Sequence, residues 1–278
     1  MTILVTGATG NVGRLVVDEL LGRGAPVRAL TVDPERAALP GGVEVVVGSL
    51  ARPSTLPAAL NGVESVYLAP MGRTVTRFCE LAAEAGIPRV VALSGASVGQ
   101  EHEGSSGHEF AAVERAVRAA GFDRTFLRPG MFMANTLGWA PSVRESGVVR
   151  SAYGDAVQTP IDLRDIAAAA AQVLVTDGHS GRTYVLSGPQ TVTRREMAAA
   201  IGSALGRELP FVELTPAEQR AEWVSVGIPP LIADWMLDGF ADSRAERPEP
   251  TGVFEELVGR PGTTYAEWAV ANVAAFGG

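Results

Sequence analysis

The stretch "ILVTGATGNVGRLVV", residues 3–17, sets an apolar, β-branched run against a glycine-spaced turn and the start of a helical pattern. Ile3 to Val5 predicts a buried strand. Gly7 lies where the turn must be tight, Gly10 where backbone must approach a pyrophosphate, and Gly13 where a helix packs close on the strand. Thr9, Asn11 and Val12 fill the loop between them. The N–H groups that open the following helix then face the phosphates. The stretch therefore predicts a strand–turn–helix that opens a βαβ unit and binds a dinucleotide.

Working outward, "PVRALTV", "VEVVVGSL", "SVYLAP", "RVVALSG" and "RTFLRPG" read as further strands. They are nearly continuous in apolar residues, as in strands buried on both faces of a parallel sheet. "GRLVVDELLGRG", "STLPAALNG", "VTRFCELAAEAG" and "EFAAVERAVRAAG" alternate with them as helical patterns, most of them closed by glycine. Repeated β-α units predict an α/β fold, a Rossmann-type doubly wound parallel sheet with right-handed crossovers. Beyond residue 130 the rhythm changes. "IDLRDIAAAAAQVLVTDG" and "TRREMAAAIGSALGRELP" read as helices around one more strand, "GRTYVLSGP". "TPAEQRAEWVSVGIPPLIADWMLDGFADSRA" reads as amphipathic helix, and "TTYAEWAVANVAAF" as a last one. The expected organisation is a dinucleotide-binding domain over 1–150, with later returns of the chain to it. A smaller, mainly helical substrate-side region is expected over 151–278.

Composition narrows the function. In 278 residues, 46% hydrophobic side chains suffice for a full core, and a net charge of −8 disfavours nucleic acid, which needs a basic face. The one cysteine, Cys79, permits no internal disulfide and reads as a buried small hydrophobe. "MTILVTGATG" has no basic leader, and "IAAAAAQVLV" is too short to span a bilayer, so the expected location is cytoplasmic, off the membrane. No metal-ligand spacing and no hydrolase-type serine elbow occur. All 23 residues of the Lys+Arg count are arginines, so lysine chemistry is closed to this chain.

"TGATGNVG", "VRALTVDPERA", "GVEVVVGSL", "VVALSG", "FLRPGMFMANTL", "YVLSGP" and "YAEWAVANVAAF" together resemble the NmrA-like branch of the atypical short-chain dehydrogenase/reductases. The likeness runs over essentially the whole chain. It implies NAD(P) held between a Rossmann-type domain and the smaller region. It also implies that Ala69, Pro70 and Met71, then Pro129, Gly130 and Phe132, approach the cofactor. Aligned on Gly24, relatives selective for NAD carry an acid at the position of Thr31, and many NmrA-like proteins carry an arginine at that of Val32. Neither determinant is in place. Without the acid nothing repels a 2′-phosphate, and Arg36 lies one turn further on, so NADP(H) is the expected cofactor, with NAD the alternative. Arg28 reads chiefly as a strand residue. Ser49 and Leu50 would border the adenine.

The same resemblance raises a difficulty about catalysis. Standard relatives protonate a carbonyl with a Tyr whose pKa is lowered by a Lys four residues later. Aligned on Val113-Glu114, these positions hold Ser106 and Phe110. No other lysine exists to take over. Some NmrA-like proteins place His at the Phe110 position, but His108 lies two residues away, roughly 200° around a helix. Ser94 and Ser97, in "ALSGAS" after the fifth strand, stand at the carboxyl edge where open sheets bind ligands. Ser94, Ser97 and His108 are therefore the catalytic candidates, and His102 and His179 read as exposed. Met131, Met133 and Trp139 leave the sixth strand, and Trp223 and Trp235 stand in the long helical stretch. They are the expected contacts of a hydrophobic, aromatic substrate. The leading reading is an NAD(P)H-dependent reductase of a ketone or quinone, as a monomer or homodimer. It is similar to the tailoring ketoreductases of aromatic polyketides in antibiotic biosynthesis. The alternative is a non-catalytic NAD(P) sensor that binds a partner protein.

Overall fold

A computed structural model describes residues 2–70, 72–99, 106–245 and 247–278. Chain contacts divide the molecule into two units. The first holds residues 1–129, 163–186 and 256–259, and the second 130–162, 187–255 and 260–278. The expected division at 150/151, with returns of the chain, is thus replaced here by exchanges at 129/130, 162/163 and 186/187, and by a brief excursion at 256–259.

In chain order the first unit supplies β1 (Thr2–Val5), α1 (Gly13–Gly22), β2 (Val27–Thr31), β3 (Glu44–Val47), α2 (Leu56–Leu60) and β4 (Val63–Leu68). α3 (Val75–Glu84), β5 (Arg89–Leu93), α4 (Ser106–Ala119) and β6 (Asp123–Pro129) follow. The chain then builds α5 (Ala140–Ser146), β7 (Val149–Ser151) and β8 (Val157–Gln158) in the second unit. It returns to the first with α6 (Leu163–Val175) and β9 (Thr183–Leu186). The seven strands of the first unit lie in the order β3-β2-β1-β4-β5-β6-β9, all parallel. The expected doubly wound sheet is present.

Strand alternation assigns the two faces. Leu4, Leu30, Val66, Leu68, Val90, Ala92 and Phe126 turn to one side, where α2, α3 and α4 bring Leu60, Phe78 and Val113 into the same core. Ile3, Val5, Tyr67, Val91 and Leu127, all fully or nearly fully buried, alternate with them. α6 packs on β4, β5, β6 and α1, and its run Ile166–Ala171 is buried throughout. Alanines there keep helices close, so a stretch that reads as greasy is a core helix. The expectation of strands buried on both faces fails at β3 and β9. Val47 is 59% exposed and Val185 42%, because both strands are sheet edges. β-Branched composition reports strand, and position in the sheet decides burial.

The second unit continues with β10 (Val192–Thr193), α7 (Arg194–Ala204), β11 (Phe211–Glu213), α8 (Pro216–Ser225), α9 (Pro230–Ala245), α10 (Val253–Val258, whose last turn belongs to the first unit) and α11 (Tyr265–Ala271). Two small pairings, β8 with β10 antiparallel and β7 with β11 parallel, were not legible in sequence, as each spans only two or three residues. The amphipathic stretch over 215–245 is two helices, not one. Gly227 takes φ +94°, and Pro229 and Pro230 lack the N–H groups that would continue α8. Threonine capping boxes start α7, α8 and α11 through Glu196, Glu218 and Glu267. Met133, Trp139, Val143, Met197, Ile201 and Trp268 are among the residues of this unit's core.

The glycine loop is the tightest junction of the first unit. A Cβ on Gly13 would lie 2.1 Å from the carbonyl oxygen of Gly7, while one on Gly10 would lie 3.2 Å from the same atom. Gly7 itself holds φ +60° and faces the Ala69 side chain. Gly13→Ala is accordingly expected to cost about 1–3 kcal/mol through forced separation of α1 from β1. Denaturant unfolding would show it as a lowered midpoint, whereas an unchanged midpoint would show that the loop yields freely.

Candidate functional site

A cavity of about 170 Å³ opens at the carboxyl ends of β1, β2, β3 and β4. Its wall contains Gly7, Thr9, Thr31, Ser49, Leu50, Ala69 and Pro70, seven residues that the sequence reading assigned to the cofactor. Thr6, Leu30, Val32 and Gly48 also line it and were not assigned. Each directly neighbours an assigned residue, so extending the assignment along each strand end would have found them. No charged side chain stands in this wall. The site lies where the strand order reverses between β1 and β4, the switch point at which open α/β sheets bind ligands.

Local chemistry fixes the wall. The Thr6 hydroxyl donates to the Tyr67 carbonyl at 3.1 Å and accepts the Ala69 N–H at 2.8 Å, pinning the glycine loop to the end of β4. At the end of β2 the Thr31 hydroxyl accepts the Asp33 N–H at 3.2 Å, and the Asp33 carboxylate accepts the Arg36 N–H at 3.2 Å. The turn thereby engages the Asp33 carboxylate, while Glu35 stays exposed beside it. Arg14, at the start of α1, donates to the Ala38 carbonyl at 2.7 Å and holds the turn down. Val32 is 60% exposed, and the Arg36 side chain is exposed beyond it. Arg28 is engaged elsewhere, with the Ala59 and Asn61 carbonyls at 2.9 and 2.6 Å and the Glu44 carboxylate at 2.9 Å. Gly10 and Asn11 are exposed at the loop's tip, and Val12 and Gly13 are buried beneath it. Pro129 is buried at the end of β6, its carbonyl accepting the Ala96 N–H at 2.9 Å, while Gly130 and Phe132 are half-buried in the second unit. Met71 lies outside the described residues.

The catalytic candidates separate. Ser94 is 1% exposed and donates to the Glu114 carboxylate at 2.8 Å. Arg128 donates twice to the same carboxylate, at 2.7 and 2.8 Å, and Arg118 once, at 3.2 Å. Burial alone would raise the Glu114 pKa. The hydrogen bonds from Arg128 and Ser94, with the Arg128 charge, instead hold it below the ordinary carboxylate range. Ser94 is thus one strut of a clamp joining β5, α4 and β6. Ser97 is half-buried, and its hydroxyl lies 3.4 Å from that of Ser106, the position where relatives carry tyrosine. Phe110 lays its ring on Gly95, where an added Cβ would meet ring carbons at 2.3 and 2.5 Å. An apolar ring thus closes over Gly95. His108 is exposed on α4. His179, expected to be exposed, is half-buried with Nε2 2.8 Å from the Thr176 hydroxyl and Nδ1 2.8 Å from that of Tyr184. His102 lies outside the described residues. Burial pushes the Cys79 thiol up to about 12, so it stays protonated and inert.

Of the substrate-side residues, Met133 and Trp139 are buried in the core of the second unit, and Met131 packs against it half-buried. Trp223 packs on Ala152, Leu214 and Leu237, with its ring 6.2 Å from that of Phe240. Trp235 is half-buried on α9. Among the described residues no helix is long and apolar enough to cross a membrane, and no His, Cys, Asp and Glu cluster could hold a metal ion.

A glycine cradle whose side-chain room is closed by backbone, beside an uncharged cleft at a sheet's switch point, defines a dinucleotide-binding oxidoreductase fold. The chain belongs to the NAD(P)H-binding family, whose pattern matches residues 7–177, and it has the NmrA-like architecture. It is 39% identical to the "(4-alkanoyl-5-oxo-2,5-dihydrofuran-3-yl)methyl phosphate reductase" of Streptomyces griseus, over 99% of both chains. It is 35% identical to the NAD(P)H azoreductase of Xenophilus azovorans, again over 99% of both. The NADPH complex of an Escherichia coli NADPH-dependent quinone oxidoreductase superimposes with a TM-score of 0.84 at 28% identity, over 98% of this chain and 99% of that one. The transcriptional regulator NmrA with NADP, at 19% identity, a TM-score of 0.76 and coverage of 97% and 94%, shares the fold.

The Glu114 clamp has a defined pH signature. A carboxylate with a depressed native pKa adds stability that is complete above its ordinary value of 4.5 and lost as the pH falls through the lower native value. Glu114→Gln is expected to lower stability at neutral pH by about 1.5–3 kcal/mol and to flatten this acid limb. Unfolding midpoints measured from neutral to acid pH check it; parallel curves for both proteins would remove the clamp.

Proposed function

We propose that the chain is an NADPH-dependent reductase of electron-poor conjugated acceptors, a quinone or conjugated ketone on a bulky ring system. The observation that carries it is the uncharged wall of the cleft around the glycine loop. Gly7, Gly10 and Gly13 would admit the pyrophosphate, Ser49 and Leu50 the adenine, and Arg36 at the rim would meet a 2′-phosphate, with Thr31 rather than an acid at the end of β2. When bound, the nicotinamide supplies the hydride.

The residues of the chain then have to manage the charge that arrives. Ser94 is committed to Glu114, so Ser97 with Ser106 is the hydroxyl pair free to pass a proton to a substrate oxygen. A serine can relay a proton but gives one up far less readily than a tyrosine beside a lysine. The acceptor must therefore spread the charge itself, as a quinone or a conjugated carbonyl does. The relatives named above act, by their names, on an azo compound, a quinone and an acylated unsaturated lactone, all conjugated acceptors. A general acid contributes about 10²–10⁴-fold, and orienting an acceptor against the hydride donor about 7–11 kcal/mol. A reductase can forgo the first and keep the second. A tailoring role on aromatic polyketides, in the cytoplasm, is the finer form of this reading, with Met131, Trp223 and Trp235 toward the substrate. The missing Tyr/Lys pair also favours a second reading, an NADP(H) sensor without turnover.

Calorimetry is expected to show NADPH binding more tightly than NADH, Val32→Arg widening the gap, and Gly10→Val abolishing both while the fold persists. A native preference for NADH would overturn the cofactor choice.

With a quinone, Ser97→Ala and Ser106→Ala should each lower kcat several-fold and the pair together no more than either, as for one relay. With a non-conjugated ketone no protein should turn over measurably. Activity on simple ketones would remove the requirement for a conjugated acceptor, whereas no turnover of any conjugated acceptor with NADPH binding intact would remove the reductase reading and leave the sensor.

A further inference from the structure

Arg194 opens α7 inside the second unit and is 3% exposed. Two other arginines that leave solvent take a carboxylate with them. Arg128 holds Glu114 at 2.7 Å, and Arg28 holds Glu44 at 2.9 Å. Arg194 has none within ion-pair distance among the described residues. Its Nη2 donates to the Ser151 hydroxyl, which passes its own proton to Gln219 Oε1 at 2.8 Å. That oxygen also accepts the Ala152 N–H at 3.1 Å, so the chain of bonds ends on a neutral amide. Nε is buried without any acceptor. The carboxylate that feels it electrostatically, Glu213, is already held by Arg195 at 2.6 Å and by the Gly154 N–H. Burial lowers the Arg194 pKa to about 10, so the group stays charged at neutral pH.

The surroundings are aromatic. The guanidinium carbon lies 4.1 Å from the Phe240 ring centroid and 5.2 Å from that of Trp139. Rings lie against the faces of a planar cation and leave its edge for an acceptor in plane. A buried, charged edge with an orphaned N–H is costly unless an acceptor completes it. The two rings and the Ser151–Gln219 pair stand together around one cationic edge.

We propose that Arg194, between Trp139 and Phe240, binds the oxyanion of a ring-borne carboxylate or phosphate ester. As the recognition group of the reducible substrate it rests on the reductase reading, whereas as an anion site it stands alone. The substrate class becomes an anionic conjugated ring compound rather than a purely hydrophobic one.

The test uses the full chain saturated with NADP⁺, so that cofactor phosphates do not report. Binding of benzoate, phenyl phosphate, inorganic phosphate and neutral benzamide is read by calorimetry and by the shift in melting temperature. Benzoate or phenyl phosphate should bind, and whichever binds more tightly identifies the acid group. Benzamide should fail, and inorganic phosphate should bind more weakly than phenyl phosphate if the rings take part. Arg194→Met should weaken binding by roughly 10- to 100-fold, one charge-assisted contact. Arg194→Lys, which keeps the charge and loses the fork, should fall between. Should Arg194→Met not fold, Phe240→Leu, which keeps the cation and removes a ring, should still weaken phenyl phosphate more than inorganic phosphate. Equal binding by wild type and Arg194→Met, or no binding of either aryl anion by wild type, would overturn the proposal. Anion binding that depends on Arg194 in a protein without turnover would sink the reductase reading and leave this site standing.

Discussion

The closest constraint in the first unit is the 2.1 Å that would separate a Gly13 Cβ from the Gly7 carbonyl oxygen. Because no side chain fits, α1 starts directly against the end of β1. The Thr6 hydroxyl carries the same constraint across to β4 through Tyr67 and Ala69. Both walls of the cleft beside the switch point are thus tied to one loop. The geometry of cofactor recognition follows from glycine's missing carbon more than from any attractive contact.

A second constraint shapes the chemistry. Glu114 is a buried carboxylate, and a buried carboxylate keeps its charge only if donors surround it. Ser94, Arg118 and Arg128 fill that role, binding the end of β5 to α4 and β6. The clamp holds the segment after β5 in place and withdraws Ser94 from reaction. Phe110 packs its ring on Gly95. Ser97 and Ser106 stand as a neutral hydroxyl pair.

Arg194 presents the opposite case, a buried cation whose donors are not all met by the chain. In the first unit a buried charge is balanced internally by four donors, whereas in the second a buried charge is met by one hydroxyl and aromatic faces. The first arrangement serves rigidity. The second is what recognition requires, since a site fully satisfied by its own protein has nothing left to offer a ligand.

The sequence by itself determined the α/β alternation, the glycine loop, most of the lining of the cleft beside it and the absence of any lysine. These are legible because each depends on residue type at short spacing: a glycine where backbone crowds backbone, β-branched runs for strands, a lysine that does not exist. Tertiary structure alone decided that "VEVVV" is an exposed edge, that Gly227 and the two prolines split one amphipathic stretch into α8 and α9, and that the units interleave. It also decided which serine is free. Ser94 and Ser97 stand three residues apart in the same loop, and no local pattern separates them. Glu114, twenty residues beyond Ser94, and Arg128, fourteen beyond that, capture one and leave the other. Arg194 reads in sequence as an ordinary polar residue at a helix start. Only the packing of Trp139 and Phe240, distant in the chain, turns it into a buried charge without a carboxylate, because burial is a property of what surrounds a residue and not of the residue itself.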